Sequence, residues 1–119
     1  MTMRSATKKY SLGFRFWIKE EQGHYLGIGR ICLLEHIKST GSITGAAAAM
    51  KMSYRQAWQM IQDMNNMSNS PLVEKMQGGK GGGGAIVTEE GEEIIKLFHR
   101  LEKDLSAFTQ KLSSKLKMP

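Results

Sequence analysis

Over Phe14–Ile18 apolar and polar positions alternate, with Phe14, Phe16 and Ile18 on one side and Arg15, Trp17 and Lys19 on the other. That is the period of a half-buried strand. Gln22-Gly23 predicts a turn and His24–Gly27 a short returning strand, after which Gly27 and Gly29 end the alternation. The period then lengthens. Ile31, Leu33, Leu34 and Ile37 recur at helical spacing, and Gly41 stands where a helix C-terminal glycine belongs. Ser42 offers an N-cap for ITGAAAAM, a short helix whose small side chains let another helix pack closely. Ser53 and Gln56 form an S-x-x-Q capping box that opens a further helix. Tyr54, Ala57, Trp58, Ile61 and Met64 make its apolar stripe, and Arg55, Gln56, Gln59, Gln62, Asp63 and Asn66 its polar face. Pro71, after Asn69-Ser70, ends it.

Leu72–Met76 and Ala85–Val87 read as two strands joined by GGKGGGG, a glycine-tipped β-hairpin. Thr88 caps a last helix that carries Glu89, Glu90, Glu92 and Glu93 in its first turns, where negative charge complements the helix dipole. Along that helix Ile94, Phe98, Leu101, Leu105, Phe108 and Leu112 repeat at spacings of four and three, a heptad seam. Run from Glu89 to about Lys115, it reaches roughly 40 Å at 1.5 Å per residue. A domain of this size cannot cover that length, so the seam predicts a partner helix, most simply from a second copy of the chain.

The pattern therefore predicts a mainly α fold with a small β component (α+β), one domain over residues 1–119. Its parts are a flexible basic arm (1–13), a strand or hairpin (14–27), helices (29–70), a hairpin (72–87) and a C-terminal helix (89–116). Within it, the alanine-rich helix, the turn Met50–Lys51–Met52 and the capped helix form a helix-turn-helix, and the hairpin that follows makes it winged.

Charge gives that pattern a partner. The 119 residues hold 17 basic and 11 acidic side chains, a net charge of +6 that favours a polyanion. Residues 1–28 and 29–88 each carry a surplus of +3, and residues 89–119 carry none. The reading is double-stranded DNA, with Arg55, Gln56 and Gln59 hydrogen-bonding base edges in a major groove and with Ser53, Tyr54, Ser42 and Thr44 beside them. The free N–H groups at the helix start face phosphates. In the glycine loop Gly79, Lys80 and Gly81 can bring backbone N–H groups and an ammonium to a phosphate or into a minor groove.

Gly79, Gly81 and Gly84 formally satisfy G-x-G-x-x-G, but that dinucleotide fingerprint needs a helix directly after the loop, and here the strand-like Ala85–Val87 follows. There is no Walker motif, since Lys80 is followed by glycine. His24, His36 and His99 have no metal-ligand spacing, and Cys32, the single cysteine, reads as a small core residue within an apolar helix. No enzyme, cofactor or metal is expected. No apolar run reaches the roughly 18 residues of a membrane span and no secretory signal stands at the start, so a cytoplasmic protein without a membrane partner is expected. Two other readings stay open on the residues alone: a helical protein-interaction module that uses the seam and the methionines, and an oxyanion-binding sensor built on the glycine loop.

GSITGAAAAMKMSYRQAW, followed by PLVEKMQGGKGGGGAIVTEEG, resembles the N-terminal DNA-binding domain of the ModE family of molybdate-responsive transcription regulators. The matching motifs fall at Gly41–Ile43, Met52–Trp58 and residues 78–88, and the resemblance extends from about Phe14 to Leu101. It implies a winged helix-turn-helix that forms a homodimer on palindromic promoter DNA, with Ser53, Tyr54, Arg55, Gln56 and Gln59 in the recognition helix and Lys75 and Lys80 in the wing. Two positions depart from the family pattern. Gln56 replaces the second of two adjacent basic residues, which implies a different preferred base sequence. Lys51 occupies the usual turn glycine, a strained substitution if that residue is left-handed. Full regulators of the family also carry C-terminal molybdate-binding domains, and the sequence ends at Pro119, so the DNA-binding part alone is expected.

Overall fold

In the computed structural model, which describes residues 8–77 and 83–119, the chain runs β1 (Ile18–Lys19), β2 (Tyr25–Leu26), α1 (Ile28–Thr40), α2 (Ile43–Ala49), α3 (Tyr54–Met67), β3 (Val73–Lys75), β4 (Ala85–Val87) and α4 (Glu89–Ser113). The strands form two antiparallel pairs, β1 with β2 and β3 with β4. The register pairs Ile18 with Leu26, and Val73 with Val87. Among the described residues no helix is long and apolar enough to cross a membrane.

α1 is the hub. Ile31, Leu33, Leu34 and Ile37 are wholly buried, and they spread over nearly half the helix circumference because α2, α3 and α4 all pack against it. Ile43, Ala46 and Ala47 of α2, Ala57, Ile61 and Met64 of α3, Leu72, Val73 and Ala85 of the hairpin, and Ile95 and Phe98 of α4 complete the core. The side chain of Ser42 accepts from the Gly45 N–H at 2.9 Å, and that of Ser53 accepts from the Gln56 N–H at 3.0 Å. These capping bonds fix where α2 and α3 begin. Gly41, at φ 76°, closes α1 in the left-handed conformation, and its N–H donates to Ile37 O at 2.8 Å.

α2 ends in a Schellman motif. The Met52 N–H donates to Ala47 O at 3.0 Å and the Lys51 N–H to Ala48 O at 3.1 Å, which places Lys51 at the position normally held by glycine. Lys51 sits at φ 55°, so the left-handed turn conformation is real and is carried by a residue with a Cβ.

The N-terminal segment departs from the strand predicted over Phe14–Ile18. Only Ile18–Lys19 pair as β structure. Upstream of them the chain lies along α4: the Leu12 N–H donates to the Ser113 hydroxyl at 2.7 Å, and the Phe16 ring stacks on Phe98 with centroids 4.6 Å apart. The alternation remains, with Phe16 and Ile18 packed inward and Arg15, Trp17 and Lys19 outward, but side chains of a helix rather than a second strand cover the inner face. Phe14, expected inside, is exposed.

Phe98 also corrects the seam. It is 1% exposed within this chain, and Ile94 is packed against the same core. α4 spans 25 residues, about 37 Å. Its first half is used up inside the chain's own core through Gly91, Ile95 and Phe98, and only the second half, with Leu105, Phe108 and Leu112, presents the seam outward. A heptad pattern records that a face is apolar and does not record what covers it. His99 braces α4 against α1, with Nε2 3.3 Å from Glu35 Oε1 and Nδ1 3.3 Å from Glu102 Oε1. The hydrogen bond to Glu102, and then that to Glu35, raise its pKa against the opposing effect of burial. Cys32, partly buried in α1, has its thiol pKa pushed up by burial and by nearby Glu35 and Glu102.

α4 leaves the hairpin at a close approach. A Cβ on Gly91 would lie 2.4 Å from Leu72 O and 2.5 Å from Val87 Cγ1. Gly91→Ala is therefore expected to lower stability by about 2 kcal/mol despite alanine's higher helix propensity. Urea unfolding followed by circular dichroism checks this, and an unchanged or raised midpoint would contradict the packing. Lys51→Gly relieves left-handed strain and should raise stability by about 1 kcal/mol in the same assay. A lower midpoint would mean that the turn is not under strain.

Candidate nucleic-acid interface

The first turns of α3 form an exposed polar surface. Ser53, Tyr54, Arg55, Gln56, Trp58 and Gln59 are all exposed, while Ala57, Ile61 and Met64 hold the opposite side in the core. Tyr54 and Trp58 were expected in the apolar stripe. They are exposed at its edge instead. Among the described residues the side chains of Arg55 and Gln56 make no hydrogen bond or ion pair, so both are free to engage a ligand. Gln59 is not: its Nε2 donates to Asp63 Oδ1 at 3.1 Å. Asp63 in turn faces Arg30 at 3.4 Å, and the Arg30 guanidinium lies 4.4 Å from the centre of the Tyr25 ring.

The hairpin stands beside α3. Lys75 Nζ lies 5.8 Å from the centre of the Tyr54 ring, within cation–π range. Thr44, Tyr54 and Lys75, together with Ile43, Met76, Gly83 and Gly84, line a shallow hollow of about 250 Å³ between α2, α3 and the hairpin. Three candidate residues from three elements thus share one surface, and Arg55 and Gln56 continue it along α3. Ser42 is half-buried and its oxygen is engaged as the α2 cap. Gly79, Lys80 and Gly81 lie outside the described residues.

The hairpin is held in place by Asn65, which has no role in the sequence pattern, and by Thr88, whose part goes beyond capping α4. Asn65, in the last turn of α3 and on the same side as Trp58 and Ile61, accepts on Oδ1 from the Leu72 N–H at 2.8 Å and the Val73 N–H at 3.2 Å, and donates from Nδ2 to Val73 O at 3.1 Å. Thr88 works on the other edge. Its hydroxyl donates to Pro71 O at 2.7 Å and accepts from the Gly91 N–H at 3.1 Å, and its own N–H donates to Leu72 O at 3.0 Å. The Ala85 N–H reaches Gly41 O at 2.9 Å, tying β4 to the end of α1. The one hint in the sequence was Asn65 itself, a poor helix former inside the last turn of α3, where such a residue is tolerated when its side chain bonds elsewhere. Among the described residues no cluster of His, Cys, Asp or Glu could hold a metal ion.

The arrangement presents a capped helix start, an exposed Arg-Gln pair and a lysine-bearing hairpin on one face, which suits insertion of α3 into a groove of a polyanion. Comparisons with known proteins agree with this form. The molybdenum-pterin-binding protein MopB of Rhodobacter capsulatus is 40% identical over 100 residues, covering 81% of this chain and 37% of that protein. The transcriptional regulator ModE of Yersinia pestis is 45% identical over 84 residues, covering 71% of this chain and 32% of that protein. The chain thus spans about a third of the length of these curated relatives. A solved LysR family transcriptional regulator superposes with a TM-score of 0.55 at 16% identity, covering 78% of this chain and 31% of that one, and so shares the winged helix-turn-helix fold. Residues 28–92 match the family described as bacterial regulatory helix-turn-helix protein, lysR family, and the chain belongs to that family.

Proposed function

We propose that this chain is the double-stranded-DNA-binding part of a transcription regulator that works in the cytoplasm as a homodimer on a palindromic promoter site. The exposed start of α3 carries the reading: Arg55 and Gln56 are exposed on a capped helix beside Lys75. Arg55 reads base edges in a major groove, Tyr54 and Thr44 line its approach, and Lys75 and the glycine loop meet the flanking phosphates. Gln59 joins the readout only by releasing Asp63. The regulated process is molybdenum metabolism, on the strength of the names of the ModE and MopB relatives.

The homodimer is supported by the second half of α4. Phe108 is 60% exposed, with Leu105 and Leu112 on the same face, a costly arrangement for an unpaired helix. Asp104 and Lys111, both exposed, lie on one flank of that face, one heptad apart. An antiparallel second copy brings each Asp104 beside the other copy's Lys111. The two-fold axis then sets two recognition helices about 34 Å apart, one turn of DNA.

The test begins by selecting binding sites from random duplexes with the purified chain. On the selected site, Arg55→Ala should cost about 1–3 kcal/mol and relax the sequence preference at one position, with affinity falling steeply as salt rises. Affinity absent at low salt, or untouched by Arg55→Ala, would contradict the reading and favour a protein-interaction module. In sedimentation, the wild type should run as a dimer and Phe108→Lys as a folded monomer. A monomeric wild type would remove the homodimer.

A further inference from the structure

We propose that Asn65 is a positioning residue for the interface: its carboxamide sets the wing against α3 and so places Lys75 beside Tyr54. The inference rests on the DNA-binding reading for its functional consequence, and on the geometry alone for the positioning.

A carboxamide reproduces the donor and acceptor of a peptide group. Asn65 uses this to act as a missing neighbouring strand. Its Oδ1 takes the N–H groups of Leu72 and Val73, and its Nδ2 serves the carbonyl of Val73. Both residues are almost fully buried, so without Asn65 these backbone groups would be left unpaired away from water. β4 occupies the opposite edge of β3, and Thr88 holds the carbonyls of Pro71 and Leu72. The segment 71–73 is thereby fixed from two sides: to α4 by Thr88, and to α3 by Asn65.

Val73 and Lys75 lie two residues apart on β3 and so point to the same face. Fixing the Val73 backbone against α3 therefore fixes the direction in which Lys75 leaves the strand, and that direction ends over the Tyr54 ring. Aspartate has the same shape but lacks the donor, and its second oxygen would face the Val73 carbonyl. Serine is too short to span both groups. The wing's reach is thus set from the C-terminal end of α3, three turns along the helix from Tyr54, by a residue outside the proposed base-reading set.

The experiment uses the full chain and the Asn65→Asp variant, with folding checked by urea unfolding and Asn65→Gln substituted if the first does not fold. Without DNA, the side-chain protons of Lys75 should show an upfield ring-current shift that disappears in Tyr54→Leu and also in the Asn65 variant. With the selected duplex, Lys75→Ala should cost about tenfold in affinity and lower the salt slope by about 1 in the wild-type background. In the Asn65 variant the same change should cost less than about twofold, while Arg55→Ala retains its full effect. A Lys75 shift indifferent to Asn65 overturns the positioning. Equal Lys75→Ala losses in both backgrounds overturn its consequence for binding. A wild type with no duplex affinity overturns the DNA reading, and the ring-current result still decides the geometry.

Discussion

The start of α4 meets Pro71–Val73 at a distance that only a glycine permits. Gly91 brings the helix backbone against Leu72 O, the Thr88 hydroxyl bridges Pro71 O and the Gly91 N–H, and the Thr88 N–H closes on Leu72 O. One junction therefore sets the direction of α4, the root of the hairpin and, through Asn65 on the opposite edge, the distance from hairpin to α3. Rigidity here matters more than stability, because side chains that read a groove must be presented at fixed spacing.

α4 divides its apolar face between two tasks. Near the junction it completes the core around α1, with Phe98 stacked on Phe16. Beyond the core the N-terminal segment lies along one side, where Leu12 bonds Ser113, and the face carrying Leu105, Phe108 and Leu112 stays open on another. The charge follows the same division. The surplus of +6 lies wholly before residue 89, and the segment from residue 89 onward, which holds the helix proposed to pair with its own copy, carries no net charge.

Much of this was legible because it is local. Ser42, Ser53 and Thr88 announce helix starts through their own hydroxyls, Gly41 announces a stop, and a glycine run between two short apolar segments announces a hairpin. Lys51 in a left-handed turn was readable as a departure from a motif. What was not legible depends on partners distant in sequence. Phe14–Ile18 alternates like a strand, yet a helix about eighty residues further along the chain covers it. Phe98 fits a heptad and is nevertheless buried by its own chain. Gln59 has the composition of a base reader and is tied to Asp63. Asn65 looks like one more polar residue until Leu72 and Val73 are placed beside it.

The central claim is that one face, made by α2, the start of α3 and the hairpin, meets DNA while the outer half of α4 does not. Backbone amide shifts of the isotopically labelled chain, recorded with and without a duplex carrying its selected site, test this residue by residue. The account predicts changes concentrated at Thr44, Ser53–Gln59 and Val73–Met76, with Leu105–Leu112 unmoved. Changes concentrated at Phe14–Ile28 or along Leu105–Leu112, with the amides around Arg55 unmoved, would contradict it.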